Sequence, residues 1–343
     1  MSPLALFMIT LGIALGTLMV ISANHWLTAW LGLELNMVSI LPVIAKQKHI
    51  RSTESATKYF MTQATASALM LFSSTLNAWQ TGSWDITQLN KASSTLMIPA
   101  LAMKMGAAPF HFWLPEVLQG STLATALTIT TWQKIAPITL LYTTSNHAQS
   151  NITSTIGLLS IMIGGWGGIN QTQMRKMMAY SSIAHLGWTI TTISISPNIA
   201  LLNIIIYMTM SALFFMLLMD TSSKTLNAMS TLWSHSPVSA TIMTFLLLSM
   251  AGLPPLAGFT PKLLILNSLT THNLSALATT MALLSLLSLL FYLRTTHLLT
   301  STAPPTTIQS TAFWRLQPFY YNQIISVLTP TALFNITILP ALP

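Results

Sequence analysis

Apolar residues in this chain come in long runs rather than in strict alternation. A helix that crosses a bilayer needs about 20 mostly apolar residues. Measured that way, the chain holds eleven candidate spans: 3–22, 25–45, 54–79, 94–119, 121–144, 152–169, 175–195, 199–220, 237–270, 274–299 and 322–342. Serine and threonine punctuate the runs. In a helix their hydroxyls bond back to a carbonyl one turn earlier, which lipid tolerates. Alternating ten-residue segments of the kind that build transmembrane barrels do not occur. The pattern predicts an all-α polytopic membrane protein.

Two spans are interrupted in the same manner. Gly106, Pro109 and Pro115 break the fourth, and Gly252, Pro254, Pro255, Gly258 and Pro261 break the ninth. Each interruption runs glycine, a short gap, proline, an aromatic residue, then a proline that restarts a helix. Proline removes a helical hydrogen bond and glycine loosens the turn. Irregular backbone at membrane depth survives only where it is buried in protein or lines a wet cavity. The breaks lie five spans apart, and an odd offset makes two copies run in opposite directions. The expected architecture is a single membrane domain, 1–343, of two inverted five-helix repeats, each with a broken helix, plus one C-terminal helix. The first repeat is placed at 1–145, the second at 152–300, and a linker with the last helix at 301–343. Paired broken helices are a transporter signature. Two unrelated proline kinks are the alternative.

Composition narrows the class. The 343 residues include 13 Lys+Arg and 5 Asp+Glu, 5% charged, with 52% hydrophobic residues, and the mean hydropathy is +0.64. A soluble domain carries about 25% charged residues, so this chain cannot coat a soluble globule. Disorder is excluded by the same apolar excess. A net charge of +8 could suggest nucleic acid, but the basic residues are too few and scattered for a binding stripe, and no nucleic-acid partner is expected. The absence of cysteine removes disulfides, thiolate zinc sites, iron–sulfur ligation and cysteine nucleophiles. The opening Met1-Ser-Pro-Leu4 has neither a basic n-region nor a transit-peptide pattern, so direct insertion where the chain is made is expected.

Loop charges sort by side. Lys46, Lys48, Arg51, Arg175, Lys176, Lys224 and Arg315 fall on the side of the N-terminus, and only Lys91 falls opposite. The positive-inside rule places the N-terminus on the side of synthesis. An odd number of spans puts the C-terminus across the membrane. The cluster Lys46, Lys48 and Arg51 is a candidate for phospholipid headgroups.

Four charges lie deep within spans: Glu34, Lys104, Lys134 and Lys262. Each costs about 2.5–3.5 kcal/mol on insertion scales, on the order of 10 kcal/mol together. Leucine would pack better, so packing does not explain them. Charges at this depth mark ion or proton paths; a static pair of Glu34 with one lysine is the alternative. Burial disfavours a lysine's charged form, so a buried lysine can release and regain a proton under small changes in nearby charge. Glu34 can bias such a lysine by pairing with it or moving away. Longer gaps require water chains, which a broken helix admits.

Other polar residues are weaker candidates. His185 is mid-span, either a relay or a neutral ring bonded to a neighbouring helix. His111 lies inside the first break and is expected to bond freed backbone. Glu116, just after Pro115, complements a helix N-terminus and is read as structural. Glu54, Lys58 and Arg294 lie near span ends and can reach the interface. Gly12 with Gly16, and Gly164 with Gly168, fit close helix packing. Triplets at Asn151, Asn170, Asn273 and Asn335 match a glycosylation pattern that means little without a secretory context. No phosphate-binding loop and no histidine pair with metal or haem spacing is found.

The run Met103-Lys104-Met-Gly-Ala-Ala-Pro109-Phe-His-Phe-Trp-Leu-Pro115-Glu116 resembles the broken-helix motif of the antiporter-like subunits of respiratory complex I. So do Arg175-Lys-Met-Met-Ala-Tyr-Ser-Ser-Ile-Ala-His185-Leu-Gly187 and Gly252-Leu-Pro-Pro-Leu-Ala-Gly-Phe-Thr-Pro-Lys262. Asn36-Met, Arg51-Ser-Thr-Glu54, Thr62-Gln-Ala-Thr-Ala-Ser67 and Gly165-Trp-Gly-Gly-Ile-Asn-Gln-Thr-Gln173 point to the vertebrate mitochondrial branch. The likeness runs from residue 1 to about residue 300 and fades beyond.

The resemblance implies a core membrane-arm subunit of a proton-pumping NADH:ubiquinone oxidoreductase in the mitochondrial inner membrane. It puts the N-terminus in the matrix and the C-terminus in the intermembrane space. It implies partners among the other membrane-arm subunits, sister antiporter-like subunits included, and inner-membrane lipids. FMN, iron–sulfur clusters and ubiquinone would belong to other subunits, with no cofactor bound by this chain. The family's full-length members have fourteen spans, and the animal version is shortened by three at its N-terminus, in agreement with eleven here. The family's proton-path residues map onto Glu34, Lys104, Lys134 and Lys262, and His185 matches a histidine between half-channels. The last key position is lysine in this subunit type and glutamate in one sister type. The fold leaves open a stand-alone cation/proton antiporter and a structural spacer whose charges serve assembly.

Overall fold

A computed structural model describes residues 2–47, 49–303 and 323–333. Lys48, Arg315, Asn335, the linker 304–322 and residues 334–342 of the last expected span lie outside the described residues. The described chain forms α1 (Pro3–Ile21), α2 (Trp26–Ile44), α3 (Ile50–Thr81), α4 (Lys91–Met105), α5 (Trp113–Gly120), α6 (Leu123–Thr130), α7 (Trp132–Thr143) and α8 (Ser150–Ile169). It continues with α9 (Met174–Ile193), α10 (Pro197–Asp220), α11 (Leu226–Ser230), α12 (Leu232–His235), α13 (Pro237–Ala251), α14 (Phe259–Thr271), α15 (Ser275–Ser301) and α16 (Gln323–Leu333). Among the described residues the extended pairing consists of two isolated antiparallel bridges, His25 with Asp85 and Gln173 with Thr225. Five segments are long and apolar enough to cross a membrane by length and composition: Pro3–Ile21, Trp26–Gln47, Ser150–Ile169, Pro197–Asp220 and Ser275–Ser301.

Helix ends follow local chemistry. The third expected span starts earlier than residue 54, because His49 caps it: its ring accepts from the Arg51 amide, and Ser52 Oγ accepts from the His49 amide. That reciprocal cap satisfies donors a bare helix start leaves open. The fifth expected span, 121–144, is not one helix but α6 and α7, with Thr131 between them at φ −109°, ψ −75°. Thr130 and Thr131 donate to the carbonyls of Ala126 and Leu127 at 2.9 and 2.7 Å. Pro137, inside α7, has no N–H to offer the Gln133 carbonyl. The stretch after α10 is not plain loop either, since it folds into α11 and α12.

The centre of the molecule is α9, buried continuously from Ser181 to Ile193. Helix α8 crosses it at glycines: a Cβ on Gly187 would stand 2.7 Å from the Gly157 carbonyl oxygen, and one on Gly157 would stand 2.9 Å from that of Gly187. Helices α1 and α2 cross the same way, with 2.8 Å between a built Cβ on Gly16 and the Gly32 carbonyl, and the reverse. Side-chain-free crossings let backbones approach closely, as membrane helix pairs favour. The outer face of α1 exposes Phe7, Met8, Leu15 and Leu18. Arg175 does more than orient a loop: it stands in the first turn of α9 and donates to the Ser121 carbonyl at the end of α5. Arg294 likewise donates to the Ile169 carbonyl at the end of α8, at 2.7 Å. Cations suit these open carbonyl ends.

Candidate proton-path residues around two helix breaks

Both breaks start from the same closure. Gly106 takes φ +81° and Gly252 takes φ +83°, a left-handed conformation that costs glycine nothing. The Gly106 amide bonds the Met103 carbonyl at 3.2 Å, and Ala107 bonds Ala102 at 2.9 Å. At the second break, Gly252 bonds Ser249 at 2.9 Å and Leu253 bonds Leu248 at 3.3 Å. This is the Schellman pattern. Pro109 and Pro255 follow in the same register, each after a cis peptide bond. Pro115 and Pro261 lie in the first turn of the restarted helices α5 and α14. Gly258 passes so close to the Ser249 carbonyl that a Cβ would lie 1.8 Å from its oxygen. Pro254 supplies the carbonyl side of the second cis bond.

The breaks differ in how they use their freed groups. At the first, Trp113 Nε1 donates to the Met103 carbonyl at 3.2 Å, and His111 Nδ1 lies 3.2 Å from the Pro109 carbonyl. At the second, Lys262 Nζ donates to the Ala251 carbonyl at 2.8 Å. Counted from the glycine, Lys262 occupies the position of Glu116 in the first break. Glu116 points instead to Lys58 at 2.5 Å, which also bonds Glu54 at 2.5 Å, and all three are about half-exposed.

Lys104, in the last turn of α4, is 7% exposed, and Lys134, in the first turn of α7, is 3% exposed. Both line one pocket, together with the polar side chains of Asn36, Tyr59, Gln63 and Gln133. Gln63 Nε2 donates to the Lys104 carbonyl at 3.3 Å. The amide atoms of Asn36, the Nε2 of Gln133 and the Nζ of Lys134 are buried and make no hydrogen bond to the protein. Glu34, on α2, is half-buried and within electrostatic reach of Lys104 and Tyr59. It forms no salt bridge; among the described residues those within 4.0 Å are the two of Lys58.

Beyond Lys134 the row continues through aromatic rings. Lys134 Nζ stands 5.4 Å from the centroid of the Tyr207 ring. That ring stacks on His185, centroids 4.5 Å apart and planes inclined by 26°. The Tyr207 hydroxyl lies 3.4 Å from Ser181 Oγ. His185 is 7% exposed and lies within electrostatic reach of both Lys134 and Lys262. Trp188, one turn along α9, presents its ring 6.0 Å from Lys262 Nζ. The structure therefore brings Lys104 and Lys134 to one cavity and sets His185 between Lys134 and Lys262, with Glu34 at the outer end. Tyr207 and Gln133 carry no mark as site residues in the sequence, and Asn36 and Gln63 stand out there only within family motifs. Gln133 adjoins Lys134 and could have been flagged, whereas Tyr207 sits in an ordinary apolar run.

Residues 23–288 match the family model described as NADH:quinone oxidoreductase/Mrp antiporter, TM. The NADH-ubiquinone oxidoreductase chain 2 of Varanus melinus is 50% identical over 343 residues, covering 100% of this chain and 99% of its own length. That of Aquarana catesbeiana is 48% identical, covering 100% of this chain and 99% of its own. A chain of respiratory complex I from Thermus thermophilus has the same fold, with a TM-score of 0.83 at 24% identity over 98% of this chain and 79% of that one. A chain of the Mrp complex from Dietzia sp. follows with a TM-score of 0.76 at 18% identity, covering 84% and 59%. With end-to-end relatives about half identical and a family model over most of its length, the chain belongs to the NADH-ubiquinone oxidoreductase chain 2 family of the NADH:quinone oxidoreductase/Mrp antiporter membrane proteins.

Proposed function

We propose that this chain is a core membrane-arm subunit of a proton-pumping NADH:ubiquinone oxidoreductase, working in the mitochondrial inner membrane beside other membrane-arm subunits. Full-length relatives carry the oxidoreductase name. The observation that carries the proton-pumping reading is the row of Lys104, Lys134, His185 and Lys262, titratable groups that no packing need explains, the first three buried and the last half-buried. Lys134 is the junction of two half-channels. On one side, the cavity shared with Lys104 offers the unpaired atoms of Asn36, Gln133 and Lys134, the partners that ordered waters require. On the other side, His185 leads to Lys262. Glu34 lies within electrostatic reach of Lys104, so its approach or withdrawal changes the field in which that lysine holds its proton. The flavin, iron–sulfur and ubiquinone chemistry belongs to other subunits, so redox energy reaches this chain as a change in charge or shape.

The same reading includes eleven spans, two inverted five-helix repeats at 1–145 and 152–300, and a further C-terminal helix. Three devices recur five expected spans apart and support it. The Gly16–Gly32 crossing of α1 and α2 has its counterpart in Gly157–Gly187 of α8 and α9. The His25–Asp85 bridge has its counterpart in Gln173–Thr225. The Gly106 break has its counterpart at Gly252. Loop charge favours a matrix N-terminus and an intermembrane-space C-terminus.

The test is Lys134→Met in the assembled enzyme, reconstituted in liposomes. The number of protons moved per electron pair should fall while electron transfer per assembled complex persists. An unchanged ratio would remove the path through Lys134. Lost assembly with a normal ratio in the surviving enzyme would make the chain a spacer.

A further inference from the structure

Lys134 is 3% exposed, deep in the row. Its ammonium makes no hydrogen bond to the protein. Lys104 has Glu34 within electrostatic reach, and Lys262 donates to the Ala251 carbonyl at 2.8 Å. Lys134 has a ring: its Nζ stands 5.4 Å from the centroid of Tyr207. A cation within about 6 Å of an aromatic centroid is attracted by the negative face of the ring, more strongly where water is excluded. Tyr207 is 3% exposed. Its ring is held by the stacked His185, and its hydroxyl lies against Ser181. The comparable contact of Lys262 with Trp188 is longer, at 6.0 Å, and Lys262 does not depend on it.

We infer that the ring face of Tyr207 is the positioning element for the Lys134 ammonium, standing in for a carboxylate between the Lys104 cavity and His185. The inference rests on the proposed proton path and adds a residue to it. A carboxylate there would hold the ammonium by a full opposite charge and act as a trap. A ring holds it with a fixed, weaker, chargeless attraction, so the proton can move on without a second group changing charge. The contribution lies in the ring, not in the hydroxyl.

Tyr207→Phe, Tyr207→Trp and Tyr207→Met, compared per assembled complex in liposomes, test this. Phe and Trp keep an aromatic face and should retain the wild-type number of protons per electron pair. Met is close in size and has no ring, so the ratio should fall toward that of Lys134→Met. Adding Tyr207→Met to Lys134→Met should then change the ratio no further. A wild-type ratio in the Met variant overturns the inference. So does a Phe variant as impaired as Met, because that outcome assigns the role to the hydroxyl. If the Met variant does not assemble, the Phe variant still decides between ring and hydroxyl. An unchanged Lys134→Met enzyme would instead remove the path itself; an impaired Lys134→Met with normal Tyr207→Met removes this inference alone.

Discussion

At Lys262 the helix break and the charge form one device. Gly252 ends α13 in the left-handed conformation, leaves the Ala251 carbonyl open, and has no side chain to keep the Lys262 amine away from it. A Cβ there would lie 2.9 Å from Lys262 Nζ. Gly252→Ala should therefore cost the backbone about 1–3 kcal/mol for a non-glycine residue held at positive φ, and displace the amine besides. Gly82 is the control: it has φ +73° but no heavy atom within 4 Å of a built Cβ. Abundance of the assembled complex on native gels should drop several-fold for Gly252→Ala and much less for Gly82→Ala. Equal losses would mean that the lysine contact adds nothing. The charged residues of this row were legible in the sequence because a charge inside an apolar run is too costly to be incidental. Tyr207 was not, because a tyrosine in a membrane span reads as packing until a lysine is found over its face. The partner of Lys262 was illegible for a related reason: it is a backbone carbonyl, and every residue has one.

Among the helices, the two breaks were readable and the interruption at Thr131 was not. Glycine and closely spaced prolines leave a local mark on the sequence. Thr131 depends on two threonine hydroxyls competing with the backbone and on Pro137 six residues later, each tolerable alone. It delivers Lys134 to the first turn of a new helix beside the cavity. The crossing of α8 and α9 is the other element-scale dependency, since α9 carries His185 and Trp188 and is buried on every side. Gly187→Ala would press a methyl to 2.7 Å from the Gly157 carbonyl and 2.3 Å from Ser160 Oγ. Overpacking of this kind costs about 1–3 kcal/mol or more, so assembled enzyme should fall several-fold. Leu159→Ala, on the exposed face of α8, should leave assembly near wild type. A Gly187→Ala enzyme that accumulates normally would show that the two helices can separate without loss, contrary to this packing.

Across the whole molecule, separate elements converge on one polar row: α2 brings Glu34, α4 Lys104, α7 Lys134, α9 His185, α10 Tyr207 and α14 Lys262. Their meeting could not be read from spacing, because it depends on how helices far apart in the chain pack. The wall at Lys104 and Lys134 is the part of the row that depends most on solvent. Asn36, Gln133 and Lys134 bury polar atoms without a protein partner around one pocket, and buried polar groups left unpaired are costly. Water is the partner that both satisfies them and carries protons. The direct measurement is a high-resolution experimental structure of the assembled enzyme, in resting and turnover states, with ordered solvent resolved. Water density bridging Lys104 to Lys134 past Asn36 and Gln133 is expected in at least one state. A dry, closed cavity in every state would contradict it.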